Sequence, residues 1–140
     1  MAVNTKDILW KMASMLTWRS RRLVSLAEFV GDDSVENASF QGLQAVSLAH
    51  IRGSASAGRC KDFDVNFRPT NRHSEDRWMG IYQARTKGRG MPPVTLIKVG
   101  DIYFVEDGHH RVSVAWALGD EQIEGQVTVW ELSGSQSVEM

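Results

Sequence analysis

The chain has 140 residues, a formal net charge of −1 and a hydrophobic fraction of 42%. That is length for one domain with extra segments and apolar content for a real core, and the charge excludes a global electrostatic pull towards DNA or an acidic membrane. The only cysteine is Cys60, which excludes an intramolecular disulfide, and no stretch reads as a signal peptide or reaches membrane-spanning length, so a cytoplasmic protein with no membrane partner is expected.

Asn4 or Thr5 caps a predicted helix from about Lys6 to Val30. Leu9, Met12, Leu16, Leu23, Leu26 and Val30 draw its apolar stripe at spacings near three and four, interrupted by Arg19. A helix this long packs either on its own domain or on a second copy, which would make a homodimer. Gly31 to Ser34 breaks it, and Val35 to Gly42 reads as a linker. Ala45 to Leu48 is a short strand, Ala49 to Ile51 begins a helical turn, and Gly53 to Gly58 is a flexible loop.

Asp62 to Phe67 alternates polar and apolar residues and reads as a strand ended by Pro69. That reading puts Asp64, Asn66 and Arg68 on one face and Phe63, Val65 and Phe67 inward. Ser74 to Arg77 starts a helix reaching about Thr86, and Lys87 to Gly90 stops it. Thr95 to Val99 and Ile102 to Glu106 form a hairpin across Gly100–Asp101, His109 to Leu118 is a largely buried helix, and Ile123 to Leu132 is a last strand. The expected class is α/β, a mixed α+β fold with a small sheet and flanking helices. Residues 1–34 form an N-terminal helical extension, 43–132 the sheet domain and 133–140 a flexible tail.

The most informative run is Asp107–Gly108–His109–His110–Arg111, wedged between a strand and a helix. A strand, a glycine turn and a helix N-terminus offer free N–H groups and the positive end of a helix dipole to an anion. Gly108 permits the turn and a close ligand approach. Arg111 is either a fork for phosphate or a surface ion-pair partner.

The stretch Val94 to Trp130 resembles the ParB/sulfiredoxin-like family, with a looser similarity back to about Val46. The resemblance rests on the box Gly108–His109–His110–Arg111, on Ala115 and Leu118–Gly119 behind it, and on the proline-rich turn Met91–Pro92–Pro93–Val94 ahead of it. It implies a nucleotide ligand (CTP, ATP or ADP) held by Gly108, His109, His110 and Arg111, with Asp107 and Arg68 beside it and Mg²⁺ as companion. Sulfiredoxins carry their catalytic Cys where this chain has His109, so sulfiredoxin activity is not implied. The chromosome-partitioning branch carries Glu and Arg at the places of His109 and His110. The free-serine kinase branch, with a box closer to Asp-Gly-His-x-Arg, is the most similar. An acidic base in that branch would fall to Glu106 or Asp107.

Several roles stay open at this point. Asp107 either caps the helix or holds Mg²⁺. His109 and His110 either shape the loop or contact phosphate and move a proton, as a side chain titrating near neutrality can. A zinc site is not expected, because helical neighbours diverge by about 100 degrees and no partner ligands sit at helpful spacing. Trp18 to Arg22, and Arg85 with Lys87 and Arg89, are basic runs that either contact DNA or are solvated helix faces. Two functions follow. One is a nucleotide-phosphate-binding domain that hydrolyses the nucleotide or transfers its phosphoryl group, with catalysis at His109, His110 and Glu106. The other is a non-catalytic module whose contacts with DNA or a partner chain are controlled by nucleotide.

Overall fold

The computed structural model describes residues 22–70 and 75–133. Most of the expected N-terminal helix, with Trp18 to Arg21 of its basic run, lies outside them, as do residues 134–140 of the tail. In chain order the elements are β1 (Val24–Ser25), α1 (Leu26–Val30), β2 (Val35–Ser47), β3 (Ile51–Ser54), α2 (Glu75–Thr86), β4 (Val94–Val99), β5 (Ile102–Asp107), α3 (His109–Ala117) and β6 (Gln122–Leu132). Short 3₁₀ turns at Leu48–His50 and Ala57–Arg59 flank β3.

The six strands form one mixed sheet in the order β1-β3-β5-β4-β6-β2. β3 is parallel to β1 and β5, β4 is antiparallel to β5 and parallel to β6, and β2 runs antiparallel to β6. The expected class therefore holds: a small mixed sheet with helices beside it. The β4–β5 hairpin turns at Gly100, whose φ of 60° is open to glycine without strain.

α3 packs on one face of the sheet, where Val112 and Ala115 join Val46, Ile51, Phe63, Val94, Leu96 and Val127 in the main core. On its other side α2 brings Trp78 and Tyr82 onto Val114, and Trp78 Nε1–H donates to Ser113 Oγ at 3.0 Å. A helix covered from both sides is buried nearly all round, as α3 is, with His109, His110 and Ser113 among its buried residues. The opposite face of the sheet carries Ile97, Val99, Phe104 and Leu132 under the short α1.

Four expectations are corrected. Residues 22–25 are not helical: Arg22 bridges to Asp64 and Val24–Ser25 pairs with β3. Leu23 and Leu26 share a helical spacing, yet they enter the cores on opposite faces of the sheet. Val35 to Gly42 is no linker but the first part of the longest strand, so the sheet starts well before residue 43. Asp62 to Pro69 is not a strand. The Asp64 carboxylate accepts from the backbone N–H groups of Asn66 and Arg68, each at 2.9 Å, and curls the chain. Phe67 then sits at φ 57° with its ring buried beside Phe63. Gly53, expected in a flexible loop, lies inside β3. A Cβ there would meet the Phe104 ring and the Val24 carbonyl at 2.5 Å.

Candidate functional site

β5 ends at Asp107, and the chain reverses into α3 through Gly108 at φ 105°, ψ 28°. A Cβ on Gly108 would lie 2.5 Å from Val94 Cγ1, so the turn needs glycine for its backbone angle and for space. The first bond of the helix runs from Val112 N–H to the Gly108 carbonyl at 3.0 Å. The N–H groups of His109, His110 and Arg111 precede it and have no partner inside the helix. No side chain caps this end and no acidic residue lies in its first turn. The expected cap by Asp107 is not made, because its carboxylate turns to Arg111 instead.

Arg111 is a clamp. Its Nη1 donates to the carbonyls of Pro92 and Pro93 at 2.7 and 2.9 Å, and its Nη2 lies 2.8 Å from Asp107 Oδ2. The proline turn before β4 is thus tied to the start of α3. The guanidinium keeps Nε–H and one Nη2 proton for anything else.

A cleft of about 120 Å³ opens over this helix end, lined by Arg59, Arg77, Ile81 and Asp107 to Arg111. Arg59 arrives from the 3₁₀ turn after β3 and Arg77 from the first turn of α2. Both were missed in the sequence. Arg59 lies 3.7 Å from Asp62, whereas Arg77 is exposed and paired with no carboxylate among the described residues. Cationic side chains at the positive end of a helix dipole repel it and one another, and an anion relieves both.

The two histidines are buried at 6% and 5% exposure. His109 stacks on Phe63 at 6.2 Å between ring centres, and His110 meets the same ring edge-on at 5.3 Å. His109 Nε2 lies 2.6 Å from the fully buried Ser54 Oγ. His110 Nε2 is buried with no hydrogen-bond partner among the described residues. Burial, then the nearby Arg59 cation, pushes both rings down to about 4. His110 adds to the lowering at His109, and Arg77 to that at His110. Both rings are therefore neutral at pH 7, against the expectation that they titrate near neutrality, because desolvation penalises the imidazolium.

Other expected site residues fall elsewhere. Glu106 is exposed on β5 and lines no part of the cleft, and Arg68 does not line it either; the Arg68 backbone N–H serves Asp64. Among the described residues Asp107 is the one carboxylate in the lining, with its side chain 73% exposed. No group of three or more His, Cys, Asp or Glu residues gathers for a metal among the described residues. A Mg²⁺ ion would thus have the free oxygen of Asp107 and otherwise the oxygens of its own ligand, which is a usual setting for that ion. Cys60 lies in the core with its thiol pushed up by burial and by Glu28, away from thiolate chemistry. Of the second basic run, Arg85 is spent on Asp120 at 2.6 Å, in the wall of a separate cavity of about 380 Å³. No helix of the described residues is long and apolar enough to cross a membrane.

No protein-family model and no curated protein matches the chain. Among solved structures it is similar to the crystal structure of sulfiredoxin from Arabidopsis thaliana, at 15% identity and a TM-score of 0.47, over 69% of this chain and 92% of that one. At that identity and score the likeness carries nothing about chemistry.

Proposed function

We propose that the cleft at Gly108–Arg111 binds an anion, and that this anion is the phosphate end of a nucleotide. The observation that carries the reading is His110: a ring 5% exposed that lines a cleft with three arginines at an uncapped helix N-terminus, and whose buried Nε2 has no partner among the described residues. A buried nitrogen left unpaired costs about 1–3 kcal/mol; His110 Nε2 is wholly covered, so a phosphate oxygen would accept its proton once the ring turns to expose it. The choice of a nucleotide rests on the resemblance of the box residues alone.

The volume sets a limit on what enters. About 120 Å³ is below the roughly 300–1,000 Å³ of pockets that enclose a whole drug-sized ligand. The cleft takes phosphate and leaves ribose and base outside it. Binding fits the lining better than turnover does. Among the described residues the one carboxylate lining the cleft is already held by Arg111, and neither imidazole is basic enough to take a proton at pH 7.

The test is calorimetric titration of ATP, ADP, CTP and inorganic phosphate, with and without Mg²⁺, into wild type and Arg77→Ala. Arg77 is exposed on α2, so its loss leaves the fold intact. Binding that weakens about tenfold in the variant, as expected for one lost charge-assisted contact, supports the reading. A folded wild type that binds none of the four ligands sinks it.

A further inference from the structure

Ser54 is an odd residue to find at the end of β3. It is fully buried, 55 positions from the box, and its hydroxyl touches the first residue of α3. Its Oγ accepts the Ser56 N–H at 3.0 Å. Its single proton has three acceptors within reach: His109 Nε2 at 2.6 Å, the Ser56 carbonyl at 3.0 Å and the Val105 carbonyl at 3.5 Å. Both carbonyls are already served. Ser56 O receives Arg59 N–H at 3.0 Å, and Val105 O receives Ala55 N–H at 2.9 Å. The imidazole nitrogen is nearest, and no other donor to it is present among the described residues. A hydroxyl rotates to the acceptor that needs it.

We propose that Ser54 is a positioning residue for the anion site: its hydroxyl donates to His109 Nε2, fixes the ring as the Nδ1–H tautomer and makes His109 a neutral hydrogen-bond donor to bound phosphate. The assignment rests on the reading of the cleft as a phosphate site. With Nε2 occupied, the ring's one proton sits on Nδ1, the only other polar atom of a side chain that lines the cleft. The opposite tautomer would present a lone pair to an anion. Phe63, stacked within 17° of the imidazole plane, fixes the plane, and Ser54 fixes which nitrogen carries the proton. Together they supply a donor to phosphate without placing another cation at the helix end.

Nitrogen-detected NMR of the full chain, labelled with ¹⁵N in histidine, reads the tautomer at pH 7 without ligand. His109 is expected to show a protonated Nδ1 and a bare Nε2. Ser54→Ala is expected to mix the two tautomers and to raise the Kd for inorganic phosphate and for ATP about three- to tenfold, the loss of part of one hydrogen bond to a charged group. Ser54→Thr, which keeps the hydroxyl, restores both. A wild type that binds phosphate with the His109 proton on Nε2 overturns the assignment and leaves the anion site standing. So does a Ser54→Ala variant whose tautomer and affinity are unchanged. A wild type that binds no phosphate and no nucleotide overturns both readings. Should Ser54→Ala fail to fold, the wild-type spectrum and titration decide alone.

Discussion

Two neighbouring residues carry the strongest physical tension in the molecule. His109 and His110 are buried as neutral rings at the end of a helix where arginines gather. An unfolded chain takes up a proton on each near pH 6.5, whereas the folded chain does so only at about 4. Between those values the unfolded state holds more protons. Stability is therefore full above about pH 6.5, falls as the pH drops towards about 4, and levels off below it, by roughly 3 kcal/mol per ring at most. Urea denaturation at pH 7 and pH 4.5 checks the sign, and saturating phosphate should shrink the difference because an anion stabilises the imidazolium. Arg111 calls for a different expectation from Arg77. Its guanidinium ties Pro92 and Pro93 to Asp107, so Arg111→Lys loses the bridge while keeping the charge. A stability loss of about 1–3 kcal/mol is expected for it, read as a lower urea midpoint; Arg77→Ala should leave the midpoint in place. Loss of ligand binding in an Arg111 variant alone would thus say little about phosphate.

At the scale of elements, the β5–α3 junction depends on one glycine. Gly108→Ala would place a Cβ at φ 105° and 2.5 Å from a side-chain carbon of Val94, which is fully buried and has no room to yield. Strain and overpacking together should cost roughly 2 kcal/mol or more, seen as a fall in melting temperature together with loss of phosphate binding. This junction was legible in the sequence, as were the β4–β5 hairpin, α2 and β6, because each is built from local signals: alternating or 3.6-period apolar residues closed by glycine. The errors have local causes too. Val35, Ala38, Phe40 and Leu43 follow no single period, because extra residues at Glu36 and Gln41 interrupt the pairing with β6. Those bulges hide a 13-residue strand. The alternation of Asp62 to Phe67 is real but serves a turn, with two phenylalanines on one core and an aspartate bound to its own backbone.

At the scale of the whole molecule, the site is half local and half assembled. Residues 107–111 could be read off the chain because they are consecutive. Arg59, Arg77 and Ser54 could not, since only the parallel pairing of β3 with β5 and the packing of α2 on α3 bring them there. Among the described residues the same architecture covers the sheet unevenly. One face lies under α3, itself backed by α2; on the other the described residues supply the five of α1, where Phe29 meets Phe104 at 5.3 Å. The two bulges set Val35, Phe40 and Leu43 opposite Leu132, Thr128 and Gln126, alternate positions of β6 and hence one face. That is the thinly covered face, and Phe40 and Leu43 stand 67% and 54% exposed on it. Stability on this face should therefore divide by distance from α1. Phe104→Ala, at a fully buried ring, should cost about 3–5 kcal/mol. Phe40→Ser, at a ring mostly in water, should stay within about 0.5 kcal/mol. Urea midpoints at a common slope measure both, and a Phe40→Ser loss as large as that of Phe104→Ala would mean that Phe40 is covered in solution.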